Sequence, residues 1–155
     1  MQNKILNNKE IKKIKEQCVK QFGVFLKEDY AYLLNENERL FIINKDITRI
    51  DLKELRVDRF GLYFAEVKEN QVRLSKEGAQ LLIYENKGNK IKNTIELTKA
   101  ELKSYFQGQD LVKDLGGESR LIILLYQDET IGCARYKEGK IINFLPKMNR
   151  GEVIL

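Results

Sequence analysis

Arg120–Tyr126 (RLIILLY) and Thr130–Tyr136 (TIGCARY), joined by Gln127-Asp128-Glu129, decide the fold of the C-terminal part of this chain. Both runs are dense in branched and aromatic side chains, and a polar turn separates them, so they predict a hairpin. Gly139-Lys140-Ile141-Ile142-Asn143-Phe144-Leu145-Pro146-Lys147 follows, and a third strand is expected over Lys140–Leu145. Pro146 has no N–H to give a ladder, so it ends that strand or lies on an edge. Gly132, inside the second strand, predicts a bulge or a close backbone approach, the bulge being the ordinary barrel feature.

Upstream, Thr98 and Glu101 have the spacing of a capping box and Gly108 suits the position just past a helix end, which predicts a helix over Lys99–Gln107. Gly116-Gly117 marks a turn before the hairpin. A strand-and-helix start is expected over Ile91–Thr98.

The N-terminal part reads differently. Asn8 is the expected N-cap of a helix from Lys9 to about Gln21, with Ile11, Ile14, Cys18 and Phe22 on one stripe and Lys12, Lys13, Lys15 and Lys20 elsewhere. Gly23 ends it. Tyr30–Leu34 and Leu40–Asn44 flank the polar turn 35–39 as one hairpin, and Gly61–Val67 and Val72–Leu74 make another. Asp51 caps a short turn through Leu55. Ser75 caps a helix running toward Ile83, which Gly78 weakens. Glu85–Lys90 is the expected linker, giving an α+β domain over 1–88 and a small β-barrel over 89–155.

The helix ending in Gly-x-Asp-Leu (Gly108–Leu111) before a small barrel resembles the PUA domain of RNA-modifying enzymes. The closing G-K-I-x-N-x-x-P-K, Gly139–Lys147, is similar to the PUA-type tail of the Fmu/Sun family of RNA cytosine methyltransferases. Met148 and Asn149 stand where that tail continues Pro-Lys-Gly-Leu-Arg, and Arg150 still ends the run. Asp51–Val57, Gly61–Phe64 and Arg73–Leu81 resemble the pre-PUA domain of archaeal and eukaryotic ribosome-biogenesis factors. The resemblance implies an N-terminal α/β pre-PUA-like domain, a PUA-like barrel and RNA as the partner, with the Gly108 turn letting backbone approach the RNA.

Composition narrows the chemistry. Histidine is absent, so Ser-His and Cys-His nucleophilic arrangements are excluded. There is no G-x-G-x-x-G and no P-loop. Cys18 and Cys133 have no metal spacing and sit in no methyltransferase nucleophile motif; both are expected to be reduced, buried and inert. The resemblance covers only the accessory domain of the Fmu/Sun enzymes. No catalytic residue, metal or cofactor is expected, and the protein reads as a non-enzyme. The N-terminus lacks the apolar core of a signal peptide and no apolar run spans a bilayer, so a cytoplasmic location and no membrane partner are expected.

The net charge of +5 is evenly spread: residues 1–88 hold 17 basic and 14 acidic groups, and residues 89–155 hold 11 and 9. Between Arg135 and Arg150, however, Arg135, Lys137, Lys140, Lys147 and Arg150 face only Glu138. Positive charge on a rigid surface holds phosphate, and polar or aromatic neighbours read unpaired bases. The expected RNA-binding residues are Gly108, Arg135, Lys137, Lys140, Asn143, Lys147 and Arg150. The leading expectation is ribosomal or transfer RNA binding in rRNA maturation, alongside pre-ribosomal proteins and without DNA. The alternatives are an RNA-targeting subunit for a separate RNA methyltransferase, and a protein–protein adaptor whose barrel does not bind RNA.

Overall fold

The computed structural model describes residues 4–45 and 61–144. The turn expected at Asp51–Leu55 and the tail residues Pro146, Lys147 and Arg150 lie outside them. The chain divides into two compact units, Met1–Lys92 and Asn93–Leu155.

In the first unit, strands β1 (Lys4–Ile5), β2 (Tyr30–Leu34), β3 (Arg39–Asn44), β4 (Leu62–Lys68) and β5 (Gln71–Leu74) form an antiparallel sheet in sequence order. Helices α1 (Asn8–Phe22) and α2 (Lys76–Glu85) contribute Ile14, Cys18, Phe22, Ala79 and Leu82 to the core. The cap of α1 is Asn7 rather than Asn8. Glu10 lies three residues after Asn7, so the two close a reciprocal capping box: the Glu10 amide donates to Asn7 Oδ1 and the Asn7 amide to Glu10 Oε1. Gly23 ends the helix at φ 83°. At the edge strand β5, the Gln21 side chain acts as a substitute strand. Its amide donates to Val72 O at 2.9 Å and its oxygen accepts from Val72 N at 2.8 Å. Those two bonds occupy backbone groups that an open edge would offer to another chain.

The polar run Glu85–Lys90 opens with two residues that bind distant parts of the first unit. The Glu85 carboxylate accepts from the amides of Lys27 and Glu28 and from the Tyr30 hydroxyl. Asn86 is buried, and its amide donates to Phe25 O and Leu82 O. Lys92 N reaches Phe22 O at 2.7 Å. Glu85 and Asn86 thus tie the start of this run to the 25–30 segment, and the first compact unit runs to Lys92. Burial, and then the bond to Glu85, push the Tyr30 phenol up to about 12. A raised folded value favours the neutral phenol. Its contribution is complete below the ordinary tyrosine value near 10 and is lost as pH rises through about 12.

In the second unit, β6 (Thr94–Glu96) pairs parallel with β8 (Arg120–Tyr126), and β8, β9 (Glu129–Lys137), β10 (Lys140–Ile142) and β7 (Leu111–Val112) follow antiparallel, in the order β6-β8-β9-β10-β7. The elements make an α+β architecture with two five-stranded, mostly antiparallel sheets, one of them curled. Helix α3 (Lys99–Phe106) carries the expected Thr98/Glu101 capping box. Its Leu102 and Tyr105 pack with Leu111, Ile122, Tyr136 and Ile141 in one core. Gly132 sits at the register shift opposite Leu124/Leu125, and no heavy atom lies within 4 Å of where its Cβ would be. Bulge geometry therefore accounts for Gly132, not close approach.

Gly78 is the opposite case. A Cβ there would sit 2.0 Å from Phe64 O, the same carbonyl that accepts from Ser75 N. The residue that lowers helix propensity is what lets α2 lie against β4. Gly78→Ala should destabilise the protein by about 3 kcal/mol through overpacking. A fall in the urea midpoint at unchanged m-value is the expected readout, and a midpoint like wild type would contradict the contact.

Candidate nucleic-acid interface

Two backbone devices fix the surface around the expected binding residues. The first is the end of α3. Gly108 has φ 88°, its amide donates to Tyr105 O at 3.0 Å, and the Gln109 amide donates to Ser104 O at 3.1 Å. This pair of bonds is a Schellman motif, which places a left-handed glycine just past the helix end. The second is the turn Glu138-Gly139, with φ 48° and 77°, which has the two positive values of a type I′ hairpin turn. It sets Lys137 directly opposite Lys140, and Lys140 in turn faces Val112 across β7.

Asn143 joins the two regions. Its side-chain amide donates to Tyr105 O at 2.6 Å and to Gln109 O at 3.0 Å, and its backbone amide donates to Asp110 Oδ1 at 2.8 Å. Both donors of the side chain are spent on the Gly108 turn. Asn143 thus ties the turn to the end of β10. The G-K-x-x-N pattern marked this residue, but its partners lie more than thirty positions upstream.

The remaining residues separate by what already engages them. Arg135 is half-buried on β9, with Nη1 3.5 Å from Ser119 Oγ. Lys137 and Lys140 are exposed, and no ion pair among the described residues includes either. Like charges directly opposite in a sheet repel, by about 0.2–1 kcal/mol, and an anion between them would relieve that repulsion. Lys147 and Arg150 lie outside the described residues.

Arg120, which the sequence reading did not single out, is held internally. Its Nη1 donates to Gly116 O at 2.7 Å and Glu118 O at 2.9 Å, its Nε to Asn93 Oδ1 at 3.1 Å, and the guanidinium lies 4.9 Å from the centre of the Tyr136 ring. The Tyr136 hydroxyl donates to Asp114 Oδ1 and accepts from the Leu115 amide. Bonds from the Gly116 amide and then the Tyr136 hydroxyl hold the Asp114 carboxyl below its ordinary range. Only the Gly116-Gly117 pair hinted at this loop from sequence.

Cys18 is buried, and burial pushes its thiol up to about 12; Cys133 is also buried, and neither forms a disulfide. A thiol held protonated is a poor nucleophile.

Comparison with known proteins places this geometry. Residues 92–150 match the family model of the methyltransferase RsmF PUA domain. This stretch is thus similar to that domain, as the tail motif suggested. The ribosomal RNA small subunit methyltransferase F of Aeromonas hydrophila is 27% identical over 115 residues, covering 74% of this chain and 23% of that protein. The methyltransferase of the same name from Vibrio cholerae is 23% identical over 141 residues, 91% of this chain and 28% of the relative. That from Vibrio campbellii is 25% identical over 146 aligned positions, 91% of this chain and 29% of the relative. The likeness thus extends beyond the PUA-type domain into the first unit. The chain spans about a quarter of the length of these curated relatives.

Asn143→Ala should leave two carbonyls without their side-chain donor and destabilise the second unit by about 1–3 kcal/mol. Amide hydrogen exchange at Gly108 and Gln109 should accelerate before the β8 amides do. Uniform acceleration across the unit would argue against a local lock.

Proposed function

We propose that this chain is an RNA-binding module that acts in ribosomal RNA modification and performs no chemistry itself. RNA binding rests on the second unit. The observation that carries it is the Lys137–Lys140 cross-strand pair, exposed and without an acidic partner among the described residues, on a domain similar to the RsmF PUA domain. Lys147 and Arg150 in the tail extend the same basic run, and the Gly108 turn beside it supplies backbone for close approach.

The similarity to small-subunit methyltransferases favours modification over assembly of the pre-ribosome as the process. In this reading the chain delivers a separate RNA methyltransferase to its site, and the rRNA and that enzyme are its partners. The missing histidine and the buried, protonated Cys18 agree with a binding rather than a catalytic role.

Salt titration of RNA binding tests the proposal. Lys137→Ala with Lys140→Ala should weaken binding to fragments of small-subunit ribosomal RNA. It should also flatten the log–log salt dependence by about 0.7–0.9 per lost phosphate contact. Adding Lys147→Ala and Arg150→Ala should flatten it further. A folded quadruple variant with wild-type affinity and slope would return the adaptor reading.

A further inference from the structure

The register of the second sheet puts three exposed residues in one row across three strands: Lys137 on β9, Lys140 on β10 and Val112 on β7. Directly opposed residues share a face, so their side chains project together, while Tyr136, Ile141 and Leu111 fill the core on the other side. Val112 is 84% exposed, the most open of the large apolar side chains among the described residues. Ile142, two positions from Lys140 on the same strand and opposite Arg135, adds a half-buried apolar neighbour on that face.

An isolated exposed valine needs no explanation. This one lies beside two uncompensated lysines, and the combination has a chemical meaning. The lysines attract a phosphate. The apolar patch needs an apolar surface within a nucleotide's reach of that phosphate. A double helix turns phosphates and riboses outward and stacks its bases inside, so it offers little apolar area at such a distance. An unpaired nucleotide offers both, because its base is splayed from the stack.

Resting on the RNA-binding reading above, we propose that Val112, Lys140 and Lys137 form a site for an unpaired nucleotide. The phosphate lies between the two ammonium groups, and the base or ribose packs on the isopropyl group of Val112 and on Ile142. The substrate is single-stranded RNA, a loop or an end, and not a continuous duplex.

The test uses the full chain with a single-stranded oligouridine and a double-stranded oligoribonucleotide of equal length. Val112 is exposed, so Val112→Ala should keep the wild-type melting temperature. It should weaken oligouridine binding about three- to ten-fold, from the apolar area lost, with an unchanged salt slope because no charge is removed. Val112→Glu should weaken it further by setting a carboxylate beside the phosphate. Duplex binding should be weaker than oligouridine binding in wild type and insensitive to Val112→Ala. If Val112→Ala binds oligouridine like wild type while the lysine variants lose affinity, the inference fails and the RNA reading stands. Equal losses for duplex and single strand overturn the unpaired-nucleotide assignment. If wild type binds neither RNA, the RNA reading falls and takes this inference with it.

Discussion

The register of the β9–β10 hairpin is the constraint on which the second unit depends. A sheet has a side-chain period of two, so a slip of one residue would send Tyr136 and Ile141 to solvent and the lysines inward. The left-handed pair Glu138-Gly139 prevents the slip by admitting only a two-residue connection. Once Lys137 faces Lys140, pairing with β7 fixes Leu111 inward and Val112 outward. Burial of Tyr136, Ile141 and Leu111 far outweighs the repulsion of one exposed lysine pair, since each large apolar side chain contributes about 1.5–3 kcal/mol. The basic row is thus a by-product that the core holds in place.

Around that hairpin, polar side chains fall into two groups with different work. Arg120, Tyr136, Asp114 and Asn143 spend their bonds inside the unit, on the 114–118 loop and the α3 terminus. These loops carry left-handed glycines at 108, 116 and 117, where the backbone gains least from regular structure and needs side-chain bonds to hold one conformation. Lys137 and Lys140 form none of those bonds. A hydrogen-bonded frame with exposed cations at its surface suits the proposed binding, in which the backbone gives the shape and the lysines meet the phosphate.

Much of this was legible in the sequence wherever the signal was local. Thr98/Glu101, Ser75, Gly23 and Gly108 are read from neighbours within one helical turn, and their caps form as expected. The long hairpins are carried by branched residues and a polar turn. What escaped is nonlocal or too short. The strands Lys4–Ile5 and Leu111–Val112 have two residues each and no periodicity to detect. Gly78 looked like a helix fault because the Phe64 carbonyl that requires it lies on another strand. The bonds of Glu85 and Asn86 to the 25–30 segment were likewise invisible, because their partners lie more than fifty positions away. Asn143 was found as a residue, but its bonds to the α3 terminus were not, since those partners are set by the fold. Val112 has no signal at all: its exposure follows from a register that only the paired strands define.

Charge sets a limit on how such a surface can recognise RNA. Residues 89–155 carry only two more basic than acidic groups, and Arg120 is already engaged inside the unit. Few phosphate contacts mean a shallow salt dependence and little non-specific affinity, because each contact adds less than one unit to the log–log slope. On the proposed reading, tight binding then comes from uncharged terms: backbone approach at the Gly108 turn, and apolar area on the outer face of β7 and β10. Both depend on shape, and both favour RNA whose bases are out of the stack. A module built this way would ignore most duplex RNA that it meets and dwell where a loop or junction opens. That is the behaviour that the proposed role, bringing a separate methyltransferase to one position, requires.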